Sequence, residues 1–366
     1  MSRFVFETAS HAHDDGLRRL FAENDMEGDI QISFRREPSF FYATQLQGPL
    51  CQVIAARDTV TGEVIGAGTR AIRKGYVNGQ LRNVGYLADL RLDKRYRSGL
   101  LVGRAYQHLR WLHQDGLAEL YFTVIAEKNR TALKTIASGR AGIPPYRDLG
   151  LIKTPAINLL KRKPPLTHNF KVVRGSDDLL PGIVACLNRN HRRRQFAPHY
   201  DVEEFSVGMR GFKLEDFYVA LRKNAVVGVV GKWDQSSFKQ TVVTAYHGTT
   251  RLLRPAYNFA SALAGGPKYP PAGARVRFFY ASFIAIDDDD AAVFRGLLRE
   301  LYNNYVGSGY DYFLVGLHEK DHLGAVLEDF YLTPFSARLF AVHFVDGAKS
   351  FDSLNDAVPY VEIAAL

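Results

Sequence analysis

Cysteine is scarce: the 366 residues hold two, Cys51 and Cys186. They lie far apart and have no metal-type spacing, which argues against a disulfide scaffold and a cysteine metal site. No apolar run approaches the length that spans a bilayer. The opening residues, MSRFVFETASHAHDDGL, lack an apolar core followed by a small-residue cleavage site, so they do not read as a secretory signal. The expectation is a soluble protein of a reducing, cytoplasmic compartment. Core material is ample. Hydrophobic residues make up 46% and charged residues 23%, an ordinary globular balance. The length suggests about two domains. The formal net charge of +9 favours anionic partners, either nucleic acid or a phosphate-bearing cofactor.

Apolar periodicity organises the chain. Leu17, Leu20 and Phe21 form one stripe of a helix over Asp14–Asn24. Two strands follow around the turn Asp58–Gly62. Asn78-Gly79 marks a hairpin, because both residues tolerate positive φ, and the next strand runs from Leu81 to Leu92. A basic turn then leads into a helix carrying Leu101, Ala105, Leu109 and Leu112, closed by Gly116. Glu119–Ile125 reads as a buried strand, NRTALKTIASG as a helix and Gly150–Leu160 as a closing strand.

KRKPP (Lys161–Pro165) has the composition of a linker. After it the element order repeats. GSDDLLPGIVACLN corresponds to the first helix and Phe217–Trp233 to the first hairpin. Val276–Ile286 corresponds to the strand before the basic turn, AAVFRGLLRELYNNY to the helix after it and YDYFLVGLH to the next strand. SARLFAVHF reads as the closing strand of this second unit. The expectation is an internal duplication, with units at residues 1–162 and 163–366.

The order helix, meander, strand, basic turn, helix, strand, helix, strand resembles the GNAT superfamily of acyl-CoA-dependent N-acyltransferases. The residues carrying the resemblance are LADLRLDKRYRSGLLVGRAYQHL, the strand YFTVI, and Asn129 with Ala132 in NRTAL. It implies an α+β fold: two tandem GNAT-like domains, each a mixed, mainly antiparallel sheet flanked by helices in three layers, the second degenerate. The family's turn, [Q/R]-x-x-G-x-[G/A], wraps a pyrophosphate with helix N-terminal amides. This sequence departs from it. Read from Arg97, the glycine positions hold Leu100 and Val102. Read from Tyr96, Gly99 fits the first and Leu101 takes the second.

The resemblance implies acetyl-CoA (coenzyme A) as co-substrate and no metal. The activity implied is transfer of an acetyl or other acyl group to a primary amine of a small molecule or peptide, by direct attack on the thioester. The alternative is a non-catalytic protein that binds or senses acyl-CoA. Leu90, Arg91 and Leu92 would pair with the pantetheine arm. Arg97, Ser98, Gly99, Leu100, Leu101, Val102, Gly103 and Arg104 would hold the pyrophosphate. Asn129 and Ala132 would lie beside the pantetheine or its thiol. Asp89 is the first candidate base; strict alternation puts it with Leu87 and Arg91, on the face opposite Tyr86. Its other reading is an ion pair with a neighbouring arginine. Glu127 is a second candidate, or a solvated helix-start acid. Ile136 stands where the family often has its thiolate-protonating tyrosine, so Tyr146 is the substitute, or a tyrosine packed on Pro144 and Pro145.

In the second unit Asp287–Asp290 replaces the basic turn. Carboxylates cap a helix well but repel a pyrophosphate, so a single cofactor site in the first unit is expected. His11–Asp15 reads as a helix cap rather than a metal site. The basic run Asn188–Phe196 reads as a helix end or cleft lining rather than a nucleic-acid surface, with His191, His199 and Tyr200 towards the substrate side. Cys51 reads as core, leaving no cysteine near the predicted site.

Overall fold

The computed structural model describes residues 2–97, 99–136 and 142–366. Ser98 and the side chain of Ile136 lie outside the described residues. The first part of the chain comprises β1 (Phe4–Thr8), α1 (Asp14–Glu23), β2 (Ile30–Arg35), α2 (Phe40–Thr44), β3 (Leu50–Asp58), β4 (Val64–Val77), β5 (Gln80–Leu92), α3 (Gly99–His113), β6 (Leu120–Ala126), α4 (Arg130–Ile136), β7 (Tyr146–Lys153) and β8 (Ala156–Asn158). The second comprises β9 (Lys171–Arg174), α5 (Leu180–His191), α6 (Val202–Ser206), β10 (Phe217–Arg222), β11 (Ala225–Trp233), β12 (Gln240–Tyr246), α7 (Gly248–Ala264), β13 (Phe278–Ile286), α8 (Ala291–Tyr305), β14 (Tyr312–Val315), β15 (Leu317–His318), β16 (Leu332–Thr333), β17 (Ser336–His343) and α9 (Ala348–Asp352).

Local chemistry explains the main elements. Leu17, Leu20 and Phe21 are the buried stripe of α1. Asn78 and Gly79 turn the β4–β5 hairpin at φ 52° and 75°. Leu101, Leu109 and Leu112 bury the inner face of α3, and Gly116 follows it at φ 66°.

Two large sheets result. One has the order β1-β3-β4-β5-β6-β17-β7-β15 and the other β16-β8-β14-β13-β11-β10-β9. A small sheet pairs β2 with β12. The run β1-β3-β4-β5-β6 matches β9-β10-β11-β13-β14, and each large sheet is parallel at one place, β5 on β6 and β13 on β14. The duplicated element order is therefore also a duplicated sheet order, and the α+β architecture is as expected.

The closing strands differ from the expectation. Gly150–Leu160 is not one strand. Pro155 has no N–H to continue a ladder, and the chain splits there into β7 in the first sheet and β8 in the second. In turn, β17 does not close the second sheet. It sits in the first, between β6 and β7, pairing Ala337 with Ala126 through to His343 with Leu120. Each unit thus lends a strand to the other. Leu339 and Ala341 of β17 share one core with Tyr86, Phe122, Ile152, Val361 and Ile363.

Candidate active site

The site begins as a defect in β5. Pairing with β4 runs to Ala88 opposite Thr69 and resumes with Arg91 opposite Ala67. Asp89 and Leu90 therefore face the single residue Gly68, a β-bulge. Asp89 takes φ 57°, the left-handed region that non-glycine residues seldom occupy. Pairing with β6 ends at Tyr86 opposite Phe122. Past that point the two strands splay, and Thr123 Oγ1 donates to Leu87 O at 2.7 Å as they part. Leu90, near the C-terminal end of β5, is 51% exposed. A Cβ added to Gly68 would meet nothing within 4 Å. The result is an open notch lined by strand backbone.

The second unit repeats the defect and fills it. Phe283 of β13 takes φ 55°, and the ladder with β11 shifts between Val229 and Gly231. Pairing with β14 ends at Ala281. Here Phe283 N–H donates to Glu362 Oε2 at 2.7 Å and Ile284 N–H to the Tyr360 hydroxyl at 3.2 Å. Segment 359–365 occupies the space that stays open in the first unit.

The extra residue in β5 reverses its alternation, which corrects the face assigned to Asp89. Asp89 lies on the same side as Thr69, whose hydroxyl donates to Oδ2 at 3.3 Å, and Arg91 packs over the Phe21 ring of α1. Arg36, on the segment after β2, donates from Nη2 to Asp89 Oδ1 at 3.1 Å, and Gln47 Nε2 donates to Oδ2 at 3.2 Å. Arg36 of this pair is buried, and the Asp89 side chain is 10% exposed. The ion-pair reading of Asp89 is thus realised, at the bulge itself. Arg36 and Gln47 escaped sequence reasoning because they sit between regular elements, where no periodicity marks them. The dense polar stretch FRREPS before α2 was the available signal.

Cys51 packs against the core that holds Tyr86 and Phe122, in keeping with its reading as core, although the notch is not without a cysteine nearby. It lies close enough to Asp89 for the carboxylate to act on it, although burial is the main reason its thiol is pushed up to about 11. Its Sγ faces the carbonyl oxygens of Thr44 and Gly48. At neutral pH it is a thiol, not the thiolate that nucleophilic chemistry needs.

Lys239 approaches from the second unit. Its Nζ donates to the backbone oxygens of Leu366 at 2.7 Å and Ala364 at 3.2 Å, and lies 5.6 Å from the Tyr280 ring. Burial first, then Arg36, pushes its pKa down to about 7, against the pull of Asp89 and Glu362. The unfolded chain keeps the ordinary value of 10.5, so between about pH 7 and 10.5 it binds a proton that the folded form has released. Lys239 therefore makes wild-type stability rise with pH across that window. Below pH 7 both states are protonated and the penalty for the buried ammonium is complete. Urea titrations of wild type and Lys239→Met from pH 6 to 10 are expected to show the difference moving towards wild type above pH 7. The slope is at most about 1.4 kcal/mol per pH unit. A difference independent of pH would mean that Lys239 does not titrate there.

The turn after β5 holds cations in different states. Arg95 pairs with Asp93 and Glu63, and Lys94 with Glu27. Arg97 has no carboxylate at ion-pair distance among the described residues; it makes long contacts to Leu92 O and Asn24 Oδ1. Gly99 begins α3, Leu100 points out, Leu101 is buried, Val102 and Gly103 are half-buried. Arg104 is fixed to Phe4 O and Ser2 Oγ. Leu92 packs with the Ile65 and Leu101 cluster. Arg91 Nη1 reaches Asn24 O, and burial lowers the guanidinium pKa to about 10.

The remaining candidates have hydrogen-bond partners of their own. Asn129 Oδ1 caps α4 by accepting from Ala132 N–H at 3.1 Å, which accounts for both residues locally. Glu127 is exposed and accepts from Ser336 Oγ, with Arg338 3.8 Å away. The Tyr146 hydroxyl is 2.5 Å from that of Tyr106, and burial raises its pKa well above 10. Tyr146 lies on β7, with β6 and β17 between it and β5. His191 is core: its Nδ1 faces Pro198 O at 2.8 Å, and burial lowers its pKa to about 4. Among the described residues no group of three or more His, Cys, Asp or Glu could hold a metal ion, and no helix is long and apolar enough to cross a membrane.

The aspartate run of the second unit is not bare negative charge. Arg189 pairs with Asp287, Arg194 with Asp289 and Arg222 with Asp290. Asp290 also accepts from the first amides of α8, Ala292 N–H and Val293 N–H. The basic run around Arg192–Arg194 is thereby largely spent on this acidic counterpart. The corner before α8 is closed by internal capping as well as by charge.

No protein-family model and no curated protein matches the chain. Solved structures do. A Saccharomyces cerevisiae N-myristoyltransferase with bound myristoyl-CoA superposes with TM-score 0.62 at 12% identity, covering 93% of this chain and 83% of that one. A GCN5-related N-acetyltransferase from Sphaerobacter thermophilus gives TM-score 0.55 at 10% identity, over 100% and 99%. A GCN5-related glucosamine N-acetyltransferase region of a fungal β-N-acetylglucosaminidase gives 0.61 at 13%, over 93% and 38%. With the splayed parallel pair, the bulge and the turn into α3, these similarities establish that the chain has a GNAT-like fold built around two sheets.

Proposed function

We propose that this protein transfers an acyl group from a coenzyme A thioester to a primary amine by direct attack, with acetyl-CoA as the first donor to test. The observation that carries this reading is the open notch at Asp89–Leu90, leading directly into a basic turn and the N-terminus of α3. The unpaired edge of Leu90–Leu92 suits a pantetheine amide chain. The amides opening α3, with Arg97, suit a pyrophosphate. Backbone N–H groups at a bulge suit the oxyanion that forms when an amine attacks a thioester. Residues 1–162 supply the cofactor side, and residues 163–366 supply Lys239 and Tyr280 on the acceptor side. A cytoplasmic location and the absence of a nucleic-acid role belong to the same proposal.

A second reading has its own support. Asp89, Glu127 and Tyr146 all have hydrogen-bond partners already, as acyl-CoA sensing without turnover would allow. Release of free thiol from acetyl-CoA and longer acyl-CoAs, with a pool of primary amines, separates the two. Amine-dependent release supports the transferase. Calorimetric binding of coenzyme A without release supports the sensor, and no binding overturns both. Cys51→Ala is expected to retain thiol release within about twofold, because no acyl-cysteine forms in direct attack. Loss of release, with an acyl group trapped on Cys51 in wild type, would overturn direct attack.

A further inference from the structure

On the acyl-transfer reading, we infer that the acceptor is an amine that also carries a carboxylate, as an α-amino acid does, and that Arg36 binds that carboxylate. Arg36 is only 5% exposed. One of its nitrogens, Nη2, is used on Asp89. The other two, Nε and Nη1, are buried and have no hydrogen-bond acceptor. Among the described residues Arg73, Arg147, Arg222 and Arg299 each leave Nε in that state, and Arg36 alone leaves two nitrogens. Buried arginine does not have to be so. Arg70, fully buried, reaches Asp115 through two nitrogens and the Tyr121 hydroxyl through the third. Unmet donors on a buried cation are unfavourable, and native structures normally supply an acceptor.

Gln47 complements Arg36. Its Nε2 donates to Asp89 Oδ2, while its Oε1 is buried without a donor. The two oxygens of one carboxylate therefore carry a cation with spare donors on one side and an amide with a spare acceptor on the other. The guanidinium is held by Asp89 and by the rings of Phe21 and Phe40, 5.6 and 5.8 Å from its central carbon. A monoamine would satisfy Gln47 alone, and a phosphate Arg36 alone. An amino group and a carboxylate on one carbon carry the complement of each. They also set the amine beside the bulge, where the thioester would lie. In the reaction the amine nitrogen bonds to the acyl carbon, the carbon–sulfur bond breaks, and one amine proton ends on the departing coenzyme A sulfur.

The test compares a pool of the twenty L-amino acids with the same pool as carboxamides, reading thiol release from acetyl-CoA. Wild type is expected to favour the acids by about tenfold to a hundredfold in kcat/KM, the range of a charge-assisted hydrogen bond. Arg36→Met should erase that preference. Arg36→Lys keeps the charge beside Asp89 and should narrow it, which covers a methionine variant that fails to fold. Equal use of acids and amides by wild type, or a preference surviving in Arg36→Met, overturns the inference. If neither pool releases thiol, saturation-transfer NMR reads binding directly. Amino-acid contact that is seen in wild type and reduced by Arg36→Lys upholds the carboxylate site, and no contact overturns it. A separate coenzyme A titration reports failure of the acyl-transfer reading itself.

Discussion

Asp89→Ala is expected to lower the unfolding free energy by about 3–5 kcal/mol, the range for removing one partner of a buried ion pair. Three donors converge on this carboxylate: Arg36 Nη2, Gln47 Nε2 and Thr69 Oγ1. Without it the Arg36 guanidinium would keep no acceptor at all, since its other nitrogens already lack one. Alanine also has to take the φ 57° of the bulge. Aspartate and asparagine tolerate that region better than most residues because their short polar side chains bond locally. Asp89→Asn keeps both the backbone preference and an oxygen acceptor, so it should destabilise less than Asp89→Ala. Urea denaturation of both variants beside Arg36→Met makes the comparison. If Asp89→Ala falls within 1 kcal/mol of wild type, Asp89 is not the anchor of the notch and the geometry of Arg36 must be held by its aromatic neighbours.

The hairpin, turn and helix from Asn78 to Leu112 were readable because they are local. A two-residue turn, an apolar strand, a run of cations and a helical stripe lie together between Asn78 and Leu112, and each follows from short-range chemistry. The repeat was readable for the same reason. What escaped were the features that depend on distant pairing. KTPAIN looks like the interior of one strand, and only Pro155 hinted at a change of sheet. β17 carries the alternation of any closing strand, and nothing in it says which sheet it closes. The face of Asp89 was misread because alternation holds only while a ladder is unbroken, and a bulge is set by the partner strand, here Gly68. Arg36, Gln47 and Thr69 come from three separate segments, and only folding brings them to one carboxylate.

That distinction also changes the contrast between the two corners. As sequence, Asp287–Asp290 opposed Lys94–Arg97 by sign of charge. As structure, the aspartates are neutralised by Arg189, Arg194 and Arg222, and one caps the amides that an anion would need. The sign of the run is a consequence of a corner closed from within. In the first unit, Lys94 and Arg95 are likewise committed to carboxylates, which leaves Arg97. Arg97→Glu should therefore weaken coenzyme A binding by about a hundredfold, about 2.8 kcal/mol, because it removes a charge-assisted contact and sets an anion against the phosphates. Lys94→Glu changes the net charge equally at a side chain already paired with Glu27. Its effect should be severalfold smaller and should fade as salt rises, as expected of long-range attraction alone. Calorimetry at two ionic strengths distinguishes a local contact from a general field. Equal, salt-sensitive losses in both variants would mean that the phosphates are held by the field of the turn, and that Arg97 has no special place in it.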